Sequence, residues 1–276
     1  MSAPGESGPP ENVLEFTYVP VVVYSFVIFG VCACIIPYLS WWLVPKYRTI
    51  STPERFDWNS RILSAFHAFL VSSLAMYNCL FDGPTWEDKI WGTSYLPRAT
   101  IALTAGYISC DLIIMLIGFP LKESIFYILH HVAVLGAFAA NVLYGPLTFF
   151  ANIRVNAEFS TPFVNLRWML YLLGYKDTKF YMYNGFAMLG AFFAVRVGIL
   201  PIFYYFMLKS FFEEGFRRLP MWMTLTCLVS SVGLDSINVY WFFKMARGAS
   251  RMMAKKAAIR LEQKSNDSSD SHIKEQ

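Results

Sequence analysis

The chain has 276 residues, of which 56% are hydrophobic and 15% are charged. Soluble domains carry about 25% charged residues, so this composition excludes an ordinary soluble protein and is typical of a multi-pass membrane protein. The net charge of +4 does not indicate a nucleic-acid partner, because the basic residues lie mostly beside apolar segments.

Seven segments are long and apolar enough to span a bilayer, which takes about 20 residues each. They are predicted at residues 18–44, 59–80, 98–118, 124–144, 147–172, 181–208 and 221–243. The predicted fold is all-α, with about seven transmembrane helices. Because Ser160-Thr161-Pro162 interrupts the fifth segment, six spans with a re-entrant fifth segment is the alternative.

The first predicted span differs from the rest, because residues 18–44 contain no charge while each other span contains at least one ionisable residue. This contrast predicts an accessory helix beside a six-helix functional bundle. Lys and Arg are absent from residues 1–17 and abundant in 248–276. The positive-inside rule therefore predicts a lumenal N-terminal segment and a cytosolic basic tail. The tail composition predicts disorder beyond about Gln263.

Ionisable residues inside the predicted spans are the strongest functional signal. A charge at the centre of a lipid-facing helix costs roughly 2.5–3.5 kcal/mol, so such side chains must face one another or a cavity. Helical phase places the polar residues of four spans on single faces, and inward-facing stripes would line a polar cavity. The predicted lining residues are His67, Tyr107, Glu158, Asn165, Asp235 and Asn238.

The adjacent histidines of the fourth span are the candidate catalytic groups, together with Asp111 of the span before. His130 lies on the polar face and would act as base or nucleophile, whereas His131 points about 100° away and would support it. Asp111 and Asp235 would each bind a second imidazole nitrogen. The alternative is that these groups only form hydrogen bonds between helices.

Two further features bear on the site. Arg196 has no polar stripe around it and is predicted to pair with Glu158 or Asp235. Pro162 predicts either a packing kink or a second half-helix capped by Thr161, whose free backbone donors would face a cavity. The histidines are too few and too scattered to predict a metal site, and no cofactor is expected.

These residues resemble the TLC domain family, which includes ceramide synthases and translocating-chain-associated membrane proteins. The resemblance covers residues 57–247 and depends on His130-His131, on Asp111, on the run from Glu158 to Trp168, and on the run from Phe56 to Arg61 followed by His67. It implies six helices around a cavity for a lipid chain, with the histidine pair inside.

One departure from the ceramide synthase pattern matters. Those enzymes carry a second His-Asp pair downstream, where this chain has Glu158 as its only carboxylate. We therefore expect an endoplasmic-reticulum membrane protein that binds or senses lipid acyl chains in membrane lipid homeostasis, with membrane lipids as partners. The first alternative is an N-acyltransferase that uses acyl-coenzyme A, and the second is a lipid transporter or scramblase. The sequence leaves the oligomeric state open.

Overall fold

The computed structural model describes residues 14–118 and 121–274, without the side chains of 121–124, 126 and 255–274. In these residues all regular structure is helical, with no strand, which confirms the predicted all-α class. In chain order the helices are α1 (Val19–Leu43), α2 (Thr52–Phe81), α3 (Gly83–Glu87), α4 (Tyr95–Gly118), α5 (Leu121–Tyr144), α6 (Thr148–Val155), α7 (Thr161–Leu172), α8 (Lys179–Phe192), α9 (Leu200–Phe211), α10 (Glu214–Arg217) and α11 (Met221–Lys274).

Five helical stretches in the described chain are long and apolar enough to cross a membrane. They are α1, α2, α4, the Tyr127–Tyr144 part of α5, and the continuous run Lys179–Phe211 through α8 and α9. This confirms a multi-pass membrane protein. The predicted second span begins earlier than expected, because Ser51 and Glu54 form a reciprocal capping box that starts α2 at Thr52.

The fifth predicted span is two helices joined by a tighter turn. Between α6 and α7, Asn156–Ser160 forms a 3-10 helix, and the flanking residues Val155 and Thr161 keep right-handed helical backbone angles. Thr161 does not cap α7; its hydroxyl donates instead to Glu158 Oε2 at 2.8 Å. The segment therefore tightens rather than unwinds.

The last helix is longer than predicted. The seventh predicted span forms the first part of α11, which continues as one helix to Lys274. Residues 254–263 are rich in Ala, Lys, Arg, Glu and Gln, which favour helix, whereas disorder beyond about Gln263 stays a prediction.

Helix α1 lies at the edge of the bundle along a close seam with α4. Ser25 Oγ donates to the carbonyl of Leu103 at 2.6 Å. Opposite this bond, a Cβ atom added at Gly106 would lie 2.4 Å from the carbonyl oxygen of Val22. Only glycine allows the two backbones this approach.

Loop contacts define the two ends of the bundle. At one end, called the Glu15 end, Arg98 pairs with Glu15 and the Leu147 amide donates to the Ile90 carbonyl at 2.7 Å. Trp91 Nε1 also donates there to the Gly215 carbonyl at 2.8 Å. The opposite end, called the Tyr47 end, is closed by a buried aromatic cluster of Tyr47, Ile50 and Trp58.

Candidate functional site

A mostly apolar chamber that also has several polar wall residues lies in the middle of the bundle, between α5, the 3-10 turn after α6, the end of α8 and α11. The space free of protein atoms there is about 840 Å³, which includes space open to the outside. Of the residues predicted from the sequence, His130, Glu158 and Asn238 line this central chamber. Arg196, Arg154, Ser230 and Ser231 line it as well.

A second, more apolar chamber of about 570 Å³ lies toward the Glu15 end. Its walls include Ala140, Pro146, Leu147, Phe150 and Met223. The two chambers share five wall residues, namely Ala137, Phe138, Arg154, Ser230 and Ser231. They are therefore neighbouring parts of one cleft, with Arg154 at the boundary.

Arg154 is held at this boundary by Asp235. Their side chains form a two-bond ion pair, in which Nη2 donates to Oδ2 at 2.9 Å. The Tyr204 hydroxyl donates to the same carboxylate oxygen at 2.7 Å. The guanidinium carbon lies 3.7 Å from the centre of the Phe203 ring, close enough for a cation–π contact. Asp235 thus binds an arginine and a tyrosine, and the expectation that it binds a histidine is wrong.

Arg196 joins three elements beside the central chamber. It lies in a π-helical turn, Phe193–Gly198, of the kind that often occurs at functional sites. Its Nε donates to Ser160 Oγ at 2.9 Å and its Nη1 donates to Asn238 Oδ1 at 3.1 Å. Nη2 lies 3.9 Å from Glu158, one of the two carboxylates predicted to pair with it. Arg196 therefore lines the chamber while its charge is already neutralised.

Asp111 binds His131 and not His130. The distance from His131 Nε2 to Asp111 Oδ2 is 3.0 Å, and His131 Nδ1 lies 2.8 Å from the Tyr127 carbonyl oxygen. Asp111 therefore binds an imidazole nitrogen as expected, and the histidine is His131, because the 100° turn between adjacent helical residues points His131 at α4. His130 faces the chamber instead, and the described residues offer its imidazole no hydrogen-bond partner.

The hydrogen-bond partners of His131 determine which atoms of the His131–Asp111 pair carry a hydrogen. A carbonyl oxygen only accepts, so Nδ1 must carry a hydrogen. An ionised carboxylate also only accepts, so either Nε2 carries a second hydrogen or Asp111 is itself protonated. In both forms the pair has no net charge, and one proton lies in the hydrogen bond between Nε2 and the carboxylate.

His67 and Tyr107 pack away from both chambers. Their rings stack with centroids 3.7 Å apart, and Phe29 of α1 meets the histidine edge-on at 5.5 Å. Neither nitrogen of His67 has a hydrogen-bond partner within the described chain. These residues join α1, α2 and α4, and the prediction that they line the cavity does not match their position.

Asn165 and Asp235 also lie outside the chamber walls. The Asn165 amide donates to the Arg61 carbonyl at 3.2 Å and its Oδ1 accepts from Arg61 Nη1 at 3.3 Å, which fastens α7 to α2. Asp235 is buried behind Arg154. Their polar side chains are used to hold helices together, which helical phase alone cannot distinguish from cavity lining.

The predicted set of lining residues left out Arg154, Ser230, Ser231 and Arg196, all of which line the chamber. A signal existed for Arg154, since a charged residue in an apolar run requires a buried partner. The π-helical turn changes the phase of Arg196, so regular 3.6-residue periodicity misplaces it. Across the described residues, no three His, Cys, Asp or Glu side chains are grouped as a metal site would require.

Comparison with known proteins agrees with this architecture. The TLC domain model matches residues 57–247, which run from α2 into α11. TLC domain-containing protein 4-B of Xenopus laevis is 35% identical over 78% of this chain and 83% of its own length. TLC domain-containing protein 4 of Homo sapiens is 33% identical over 79% of this chain and 84% of its own. TLC domain-containing protein 1 of Mus musculus is more distant, at 26% over 69% and 74%. The resemblance read from the sequence is thereby confirmed, and the chain belongs to the TLC domain family.

Proposed function

We propose that the protein binds a lipid acyl chain in the cleft and acts in membrane lipid homeostasis in the endoplasmic reticulum. The observation that carries the proposal is a mostly apolar cleft of two neighbouring chambers, one of which also has His130, Glu158, Arg196 and Asn238 on its wall. A lipid likewise combines a hydrocarbon chain with a polar group. Family membership supports the proposal, since TLC proteins are membrane proteins linked to lipid metabolism.

The chemistry of the walls favours a neutral polar group beside His130. Both arginines of the central chamber already have acidic or amide partners. The remaining polar wall groups include the His130 imidazole, which has no hydrogen-bond partner among the described residues, and the hydroxyls of Ser230 and Ser231. Such groups bind the carbonyls of esters and amides and the hydroxyls of alcohols, whose hydrogen bonds must be satisfied in a dry site.

Filling the cleft tests the proposal. Ala137 lines both chambers, whereas Ala139, two residues along α5, is exposed on the outside of the bundle. We expect Ala137→Phe to lose most of the lipid that co-purifies with the wild type in mild detergent, and Ala139→Phe to retain it. Lipids are extracted from each variant and quantified by mass spectrometry. Thermal unfolding of the same samples is followed by fluorescence, to show that both variants are folded. Equal lipid content in the two variants would refute binding in this cleft.

One observation favours a second candidate, an acyltransferase that uses acyl-coenzyme A. The His130 imidazole faces the central chamber, and no side chain of the described residues binds it, so its nitrogen is available to a ligand. The nitrogen would attack the thioester carbonyl and expel the coenzyme A thiolate. An amine would then attack the acyl-imidazole and release histidine.

Intact mass separates the two candidates. The protein is incubated with palmitoyl-coenzyme A and weighed, beside His130→Ala. A palmitoyl adduct in the wild type that is lost in the variant supports the transferase. Bound lipid without any adduct supports the binding protein.

A further inference from the structure

A second groove lies at the Tyr47 end, far from the central cleft. It holds about 680 Å³ and is lined by Pro37, Tyr38, Trp41, Trp42, Tyr47 and Arg55. Its outer wall is unusually open, because Tyr38 is 72% and Trp42 is 76% exposed. Large aromatic side chains with that much open surface suit a membrane interface, where one part of the ring meets lipid and the other meets water.

Two arginines flank the same tryptophan. The guanidinium carbons of Arg48 and Arg55 lie 5.8 Å and 5.6 Å from the Trp41 ring centre. The main chain fixes both, because Arg48 Nε donates to the Trp41 carbonyl at 2.8 Å and Arg55 Nε donates to the Ile50 carbonyl at 3.1 Å. Each guanidinium keeps further N–H groups for another acceptor.

Among the described residues, nearby acids form no ion pair with Arg48 or Arg55, although the Glu54 carboxylate interacts with Lys46. Glu54 is engaged by the amide and hydroxyl of Ser51, at 2.9 Å and 2.8 Å. Asp57 pairs with Arg61 at 3.0 Å. Lys46 adds a third positive charge, which is exposed.

The position of the groove indicates what kind of molecule binds in it. The groove begins in the last two turns of α1, a membrane-spanning candidate that ends at Leu43. Its mouth is therefore at the depth of lipid headgroups. Lys46 and Arg48 between α1 and α2, and Arg55 in the first turn of α2, form a basic segment. The positive-inside rule assigns this segment to the cytosolic face, where anionic lipids are concentrated.

We propose that this groove binds the headgroup phosphate of an anionic phospholipid, with the acyl chains against the exposed face of α1. The two guanidinium groups bind the phosphate, since the paired N–H donors of each planar group match the spacing of its oxygens. Trp42 and Tyr38 cover the glycerol and the first methylenes. This site is independent of the central cleft, and its occupant is a structural or regulatory lipid of the surrounding bilayer.

Native mass spectrometry of the full chain with added phosphatidylserine or phosphatidylcholine tests the proposal. The double variant Lys46→Gln/Arg48→Gln removes two charges at the groove. A matched control, Lys209→Gln/Arg217→Gln, removes two exposed charges at the Glu15 end. We expect the groove variant to lose phosphatidylserine affinity about tenfold, with phosphatidylcholine and the control unchanged.

One more variant and a competition experiment test the proposal further. Trp42→Ala removes a largely exposed ring and keeps every charge, so it should weaken phosphatidylserine several-fold without lowering thermal stability. Excess inorganic phosphate should not displace the bound lipid if the acyl chains contribute. Equal binding of both lipids to the wild type, or an equal loss in the control, would overturn the proposal. Displacement by phosphate would show a simple anion site instead and would also overturn it.

Discussion

The ion pair between Arg154 and Asp235 should be one of the most sensitive points of the bundle. Asp235→Asn keeps the shape of the side chain and an oxygen for the Tyr204 hydroxyl, but it removes the counter-charge of Arg154. Breaking a buried pair by removing one partner costs about 3–5 kcal/mol. The contact of the guanidinium with Phe203 remains and contributes up to about 2 kcal/mol when desolvated. We therefore expect a loss near 3 kcal/mol, at the lower end of the range.

A double-mutant cycle and an exposed control define the measurement. Unfolding is followed by tryptophan fluorescence during a titration from mild detergent into dodecyl sulfate. Arg154→Met/Asp235→Asn removes both charges and should recover a good part of the loss. Glu214→Gln breaks the exposed pair with Arg218 and should leave the unfolding midpoint unchanged.

Two outcomes would refute this reasoning. If Asp235→Asn is as mild as Glu214→Gln, the guanidinium is solvated and the boundary between the chambers is wet. If the double variant is as unstable as the sum of the single variants, the two side chains do not act as a pair.

Two further predictions concern α4. Gly106→Ala should cost about 1–3 kcal/mol by forcing α1 from α4, whereas Gly136→Ala, whose added Cβ meets nothing within 4 Å, should be neutral or slightly stabilising in the same titration. Asp111→Asn should be tolerated, because its amide can donate to Nε2 of a neutral His131, whereas Asp111→Leu should lower the unfolding midpoint clearly. If Leu is tolerated as well as Asn, the hydrogen bond does not exist.

The sequence predicted the helical membrane class and the family, because hydropathy and one specific run of residues carry that information locally. Of the residues that it singled out, Glu158, Asn238 and His130 border the central chamber. Helical phase predicted the wrong surroundings for Asn165 and Asp235, because these side chains bind side chains or backbone of other helices. A polar stripe shows that a side chain faces inward, and only the packing decides whether it meets a cavity or another helix.

The contact of His131 and the wall position of Arg196 were beyond periodicity for different reasons. Helical phase turns His131 away from the polar face of α5, and α4 brings Asp111 against that other side. Arg196 lies in a π-helical turn, where the assumed rotation per residue no longer holds. The first error comes from packing between helices, and the second comes from a local irregularity of the backbone.

The close seam of α1 has a consequence for how the protein is made. Ser25 and its partner Leu103 are separated by 78 residues, and Gly106 follows just behind. Helix α1 is synthesised before α4 and enters the bilayer before its main docking surface exists. Until α4 arrives it can pack only on α2, through contacts such as that of Phe29 with His67. Changes that slow the insertion of α4 should therefore expose α1 to quality control, even though α1 itself is unaltered.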